Sequence, residues 1–281
     1  MIPAPLNKPL SRSDPSLPVG MFDSGVGGFT VLRELKKVLP NERVIYFGDT
    51  ANIPYGDRSP QLIRSWAKNI IAFLLQKGVK AITVACNISS SVLTPEDLSE
   101  VPVPVFGLVY NGAAAAIQAT KNSRIGVIAT AATIETDSYA KTIHSFNPHV
   151  DVVQSACPKF VPFTEHGVFE GEEVDKAVRE YVAPLKSKGV DTVIYGCTHY
   201  PLLDKAIKKH LDGIQMVDPA TEIVEELAAY LHTNNLLYSG EPQDDEIYAS
   251  NLNEHFFATA KRFLNRDIRP LAQETKLNRL D

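Results

Sequence analysis

Two of the three cysteines in this 281-residue chain, Cys86 and Cys197, stand in matching local settings. Each closes a short apolar run and is followed by polar side chains: Ala85-Cys86-Asn87 and Gly196-Cys197-Thr198-His199. A thiol at a strand end and helix start, flanked by amide, hydroxyl and imidazole groups, can have a lowered pKa and exchange protons near neutral pH. The bland alternative is two buried structural thiols, the commonest fate of a free cysteine. Equivalent placement in the two halves of the chain favours chemistry. Inverting a stereocentre takes a proton from one face and returns one to the opposite face. One thiolate and one thiol across a cleft do this directly and exchange states at each turnover. The α-proton of an amino acid is only weakly acidic, so the developing charge needs a pre-arranged polar site. Cys157, just before Pro158, lacks such neighbours and reads as structural.

Other residues can serve such a pair. Asp23-Ser24-Gly25-Val26-Gly27-Gly28 follows an apolar run and precedes a helical stretch. It resembles a dinucleotide-binding turn but lacks the G-x-G-x-x-G spacing. Its glycines permit close backbone approach, and N–H groups at a helix start favour an anion such as a carboxylate. A plain tight turn is the other reading. His199 lies two residues past Cys197 and can orient it or give it a proton. Glu165-His166, before Gly167, is either a surface loop or part of the same site. Gly48-Asp49-Thr50 and Pro54-Tyr55-Gly56 fall in a loop after the second apolar run, where Pro-Tyr-Gly alone means only a turn.

These residues need elements to hold them. Runs rich in Val, Ile and aromatics alternate with amphipathic stretches such as Gln61–Lys77 and Glu172–Lys188. That alternation predicts parallel sheets covered by helices. The first half offers Val19–Phe22, Val44–Phe47, Ala81–Ala85 and Val103–Leu108; the second offers Arg124–Ile128, Val152–Ala156, Thr192–Tyr195 and Gln215–Val217. Successive runs start about 25, 37 and 22 residues apart in the first half and about 28, 40 and 23 in the second. The expectation is a duplicated α/β unit: two similar parallel-sheet domains facing a central cleft. Each third run ends in a cysteine, and ligands of such sheets sit beyond the strands' carboxyl ends. Thr221–His232 and Leu252–Leu264 look helical and are expected to cap one domain. The expected organisation is a tail over 1–18, a first domain over 19–108 joined by helices within 218–265, a second domain over 109–217, and a tail over 266–281.

Bulk properties narrow the classes. The chain is 44% hydrophobic and 22% charged, as expected of a globular protein. A net charge of -5 gives no footprint for nucleic acid and no polybasic patch for a membrane surface. No apolar run approaches the roughly 18 residues of a membrane span. Met1 to Pro18 has no apolar h-region, so no signal peptide is read. Three cysteines without a secretory signal argue against a disulfide framework and for a reducing, cytoplasmic setting. No Cys/His spacing suits a structural metal, and no lysine sits in a convincing pyridoxal context.

Several segments together resemble a known family. They are Phe22-Asp23-Ser24-Gly25-Val26-Gly27-Gly28, Tyr46-Phe47-Gly48-Asp49-Thr50, Pro54-Tyr55-Gly56, Ala85-Cys86-Asn87, Ile125-Gly126-Val127-Ile128, Ala132-Thr133-Ile134, Ala156-Cys157-Pro158, Phe160-Val161-Pro162 and Gly196-Cys197-Thr198-His199-Tyr200-Pro201-Leu202-Leu203. From Val19 to about Leu264 the chain resembles the bacterial glutamate racemases of the aspartate/glutamate racemase superfamily. The resemblance implies cofactor-free interconversion of L- and D-glutamate, supplying D-glutamate for peptidoglycan. It implies that Cys86 takes the α-proton of the D-enantiomer, assisted by Asp23. Cys197 would take that of the L-enantiomer, assisted by His199 and by an acidic residue best matched by Glu165. Ser24, Pro54, Tyr55, Gly56, Asn87, Thr130, Thr133 and Thr198 would bind substrate in a site that Asp23, Ile88, His199 and the two cysteines also line. It also implies two domains about a cleft, the C-terminal helices returning to the first, and a homodimer. Two departures stand out. Ile88 replaces the usual threonine after Cys-Asn, removing a hydroxyl beside the reacting centre. Tyr110-Asn111 stand where Glu-Pro is usual. The alternatives are a racemase for another acidic amino acid such as aspartate, or a binding protein that keeps the pocket without the chemistry.

Overall fold

The computed structural model describes residues 14–277. The outer parts of the two expected tails, 1–13 and 278–281, lie outside the described residues. In chain order the elements are β1 (Val19–Asp23), α1 (Gly28–Val38), β2 (Val44–Gly48), α2 (Pro60–Gln76), β3 (Ala81–Val84), α3 (Asn87–Val92), α4 (Pro95–Leu98), β4 (Val105–Gly107) and α5 (Leu108–Ala119). There follow β5 (Arg124–Ala129), α6 (Ala131–Glu135), α7 (Ser138–Phe146), β6 (Asp151–Ala156), α8 (Phe160–Glu165), α9 (Glu172–Ser187), β7 (Thr192–Gly196), α10 (Asp204–His210) and β8 (Gln215–Val217). The chain continues through α11 (Pro219–Thr233), β9 (Glu246–Ala249), α12 (Glu254–Leu264) and β10 (Ala272–Glu274).

The strands form two parallel sheets, one ordered β10-β9-β2-β1-β3-β4 and the other β6-β5-β7-β8. Within the first sheet, β2-β1-β3-β4 repeats the order of the second. The two parallel-sheet α/β domains expected from run spacing are therefore present, with matching topology. Both faces of the first sheet are covered. Val19, Met21 and Ala81 pack with α1, α11 and α12, while Phe22, Ile82 and Val84 pack with α2. Helices on both faces explain why the strands read as continuous apolar runs rather than alternating ones. In the second sheet Ile128 and Val193 face α9 and α10, while Ile125 and Val127 face α5 and α7.

The segment after Val217 is more than a helical cap. β9 pairs in parallel with β2, and β10 with β9, so the segment widens the first sheet at its edge. Part of the expected C-terminal tail is thus a strand. Both strands are short and β10 is largely exposed, so neither leaves the apolar run that marked the central strands. Ala220, Ile223, Val224, Leu227 and Leu231 of α11 and Phe256, Ala260 and Phe263 of α12 complete the core under α1. Local signals set the helix starts. Asp218 caps α11, its Oδ1 accepting the Ala220 N–H at 2.9 Å, with Pro219 at the first helical position. Asn253 caps α12 through the Phe256 N–H at 2.8 Å.

Candidate active site

The carboxyl ends of the two sheets meet. The loop after β1 lies against the loop after β7, and Gly27 marks the contact. A Cβ on Gly27 would stand 2.3 Å from Thr198 Oγ1 and 2.6 Å from two atoms of the His199 ring. Its backbone is ordinary right-handed helical, φ -59°, so what makes glycine necessary is the close approach. The Thr30 hydroxyl, 2.9 Å from the Thr198 carbonyl, donates across the same seam. A second seam joins α3 to α7 of the other domain. The Tyr139 hydroxyl donates to Asn87 Oδ1 at 2.6 Å, and the Ser91 and Ser138 hydroxyls lie 2.8 Å apart.

Cys86 sits at the end of β3 in extended backbone, at the cap position of α3, and is buried. Burial above all, then the negative charge of Asp23, pushes its thiol up to about 12; the Ser89 hydroxyl and N–H and the Ser24 hydroxyl oppose this. Asp23 is itself buried. Its Oδ2 accepts the Gly28 N–H at 2.9 Å and the Gly25 N–H at 3.1 Å. Burial raises its carboxyl above the ordinary range, against those N–H groups and the nearby charge of His199. The glycine-rich turn thus holds an anion, but the anion is the chain's own aspartate.

Cys197 sits at the corresponding end of β7 with the opposite electrostatic partner. Its Sγ lies 3.8 Å from His199 Nδ1, and His199 Nε2 lies 3.2 Å from Glu165 Oε1. Burial disfavours charge on the imidazole, yet Cys197 and Glu165 outweigh it and raise His199 from 6.5 to about 10. Burial likewise opposes charge on Glu165, but its contacts with His199 and His255 hold the carboxyl below the ordinary range. One sulfur is therefore faced by a carboxylate and the other by an imidazolium.

The remaining expected site residues lie around these two centres in distinct settings. Tyr55 is buried in an apolar cluster with Cys86, Ile88 and Ala132, its hydroxyl donating to Asp49 Oδ2 at 2.7 Å. Its neighbours Pro54 and Gly56 are exposed, and nothing lies near the missing Cβ of Gly56. Thr130 caps α6, its hydroxyl 3.1 Å from that of buried Thr133. Ser24 and Thr198 belong to the turns that carry Asp23 and Cys197. Ile88 is apolar in its contacts and bridges toward Ala132 of the second domain. Cys157 is buried in the second-domain core with Phe160 and Tyr200, in the same apolar cluster as Cys197. Tyr110 packs edge-on against Phe146, and the Asn111 amide donates to Gly107 O at 3.0 Å.

Sequence reasoning missed Tyr139, His255 and Arg262. Tyr139 carries no local signal, because its partner Asn87 lies 52 residues away. His255 and Arg262 show only an i, i+7 spacing on a helix read as a cap. Among the described residues, no cluster of three or more His, Cys, Asp or Glu side chains is placed to hold a metal, and no helix is long and apolar enough to cross a membrane.

Fold and site define a two-domain parallel α/β protein with one buried thiol at the equivalent strand end of each domain. Residues 29–227 match the model of the Asp/Glu/Hydantoin racemase family. The chain is 42% identical over 254 residues to "Glutamate racemase 2" of Caldanaerobacter subterraneus subsp. tengcongensis, covering 90% of this chain and 95% of that one. A crystal structure of glutamate racemase from Francisella tularensis in complex with D-glutamate superposes with a TM-score of 0.88 at 33% identity, covering 94% of this chain and 99% of that one. The Thermus thermophilus glutamate racemase, in complex with beta-chloro-D-alanine, gives 0.85 at 37% identity, covering 95% and 100%. This chain belongs to the Asp/Glu/Hydantoin racemase family, and so to the isomerases that racemise amino acids and their relatives.

Proposed function

We propose that this chain interconverts L- and D-glutamate by a two-thiol mechanism without a cofactor. What carries the reading is the pair of buried cysteines at equivalent strand ends of two topologically matched sheets, each beside an acid–base group of opposite charge. Glutamate as substrate is supported by relatives about 40% identical over most of the chain and named glutamate racemase.

Starting from L-glutamate, the Cys197 thiolate takes the α-proton and the C–H electron pair moves toward the α-carboxylate. The Cys86 thiol then delivers its proton to the opposite face of the α-carbon. D-Glutamate leaves, Cys197 is a thiol and Cys86 a thiolate. Between turnovers Cys197 gives its proton to water and Cys86 takes one from water, or a D-glutamate molecule turns over in reverse. Either restores the first state with no net proton consumed. His199 puts a positive charge beside Cys197 when its sulfur is negative. Asp23, hydrogen-bonded to the turn, takes a proton toward itself when Cys86 must become a thiolate. The Ser24, Thr130, Thr133 and Thr198 hydroxyls and the Asn87 amide hold the substrate's carboxylates and amine. The D-glutamate formed serves peptidoglycan.

The test is a chiral assay over a panel of L- and D-amino acids. Inversion of glutamate well ahead of aspartate and neutral amino acids is expected. Inversion of aspartate alone moves the substrate, and binding without inversion or α-proton exchange makes the chain a binding protein.

A further inference from the structure

The Cys197 centre does not end at Glu165. Helix α12 belongs by its packing to the first domain: Phe256 and Phe263, seven residues apart, are buried in the core beneath α1. The neighbouring face of the same helix carries His255 and Arg262, also seven apart and so two turns along one stripe. That stripe meets the second domain. His255 Nε2 lies 3.5 Å from Glu165 Oε2, and the Arg262 guanidinium donates to the Glu165 carbonyl at 2.8 Å. Arg262 also closes over Gly167, where a Cβ would stand 2.8 Å from Cζ. Phe263 meets the His199 ring edge-on, with centroids 5.7 Å apart.

The two oxygens of Glu165 are therefore divided. Oε1 faces His199, and Oε2 faces a residue of a helix anchored in the other domain. The geometry points to His255 as a positioning residue for the Cys197 centre, holding the Glu165 carboxylate so that its other oxygen stays on His199. The inference rests on the racemase reading for its consequence and on the contacts above for its existence. Glu165 is faced by His199, His255 and Arg262; His255 is faced by Glu165 and by the His166 ring, whose centroid lies 6.2 Å away. With His255 truncated, Oε2 has no side-chain partner from α12, and the partly exposed carboxylate is free to rotate away from Nε2. Among the described residues neither Asp23 nor Cys86 is paired with His255 or Arg262; Asp23 feels only the charge of His199, so the larger effect falls on Cys197.

Equilibrium between enantiomers forces kcat/KM to be equal in the two directions of any racemase, so that ratio cannot reveal a one-sided lesion. Two other readouts can. The first is the rate of iodoacetamide labelling of each cysteine in the full chain, resolved by peptide mass spectrometry, which follows thiolate availability and needs no substrate. His255→Leu is expected to slow labelling of Cys197 about fivefold, the upper range for a partly exposed ion pair, and to leave Cys86 within about twofold. His255→Gln, which keeps an N–H donor, should recover the rate. The second is elimination of chloride from the β-chloro derivative of each glutamate enantiomer, a one-base reaction. His255→Leu should slow the L-derivative by the same factor and spare the D-derivative. His255 is about half exposed in the first turn of α12, so its replacement leaves the buried face intact. Unchanged or faster labelling of Cys197, an equal fall at both cysteines, or no recovery in His255→Gln overturns the inference. If the wild-type chain eliminates from neither derivative, the glutamate reading fails, and the labelling still decides the role of His255.

Discussion

Replacing Gly27 by alanine adds one methyl group at the seam between the two thiol centres. The new Cβ would lie 2.3 Å from Thr198 Oγ1 and 2.6 Å from His199 Cε1 and Nδ1, about an ångström inside ordinary contact. Thr30, hydrogen-bonded to the Gly27 and Thr198 carbonyls, leaves little freedom to separate the loops. The Thr198 hydroxyl and the His199 ring must both yield, and the ring stands between Cys197 at 3.8 Å and Glu165 at 3.2 Å. Overpacking of this kind costs about 1–3 kcal/mol, which lowers Tm by roughly 2–4 °C per kcal/mol in a chain of this size. The effect on catalysis is larger, because a displacement of about 1 Å in a reacting group costs on the order of 100-fold. Gly27→Ala is therefore expected to fold, to melt a few degrees lower, and to lose about 100-fold in kcat. Gly25→Ala is the control: its Cβ meets only Ile53 Cγ2, at 3.7 Å, so activity should stay near wild type. The assay is racemisation followed by circular dichroism, with thermal melts alongside. A Gly27→Ala enzyme as active as Gly25→Ala would refute the account of this seam.

Cys86→Ser and Cys197→Ser are each expected to abolish racemisation, since an alcohol is a far poorer acid–base group near neutral pH; full activity in either variant, by chiral chromatography, contradicts the two-thiol scheme. Ile88→Thr restores a hydroxyl beside Cys86, and a hydrogen bond to a charged group contributes about 1.5–3 kcal/mol. The Michaelis constant for glutamate should fall about tenfold; no change in initial-rate measurements means that position 88 does not reach the substrate. His199→Asn should lower stability in a pH-dependent way. Burial opposes the imidazolium while Cys197 and Glu165 favour it, and the net rise from 6.5 to about 10 gives a stabilisation complete below about pH 6.5 and gone above about pH 10. Urea melts of wild type and variant should therefore converge as pH rises through that window, and a constant difference across it rules out the charge as the cause.

Much of the fold was legible because its central strands are buried on both faces. Val19–Asp23, Val44–Gly48 and Thr192–Gly196 are all fully buried, and such strands leave unbroken apolar runs. β9 and β10 were not legible, since short strands beside an existing edge need no such run. The two cysteines, Asp23 and His199 announced themselves by their position at strand ends. The division of labour between the centres came only from the family resemblance, not from residue types or spacing. That Asp23 is held by the turn's own N–H groups, and that Glu165 reaches His199 from 34 residues away, depends on loops meeting in space. The bridge from α12 was hidden for the same reason, as a helix's sequence shows its stripes but not which domain each stripe touches.

Racemisation in D2O, stopped at a few per cent conversion, bears most directly on the claim that two different thiols work from opposite faces of the substrate. Starting from L-glutamate, mass spectrometry of the separated enantiomers should find a solvent deuteron at the α-position of nearly all the D-glutamate and almost none in the recovered L-glutamate. The D-enantiomer as substrate should give the mirror result. A product that keeps the substrate's own proton, or label entering recovered substrate as fast as product, would mean that one base serves both faces and would contradict the account.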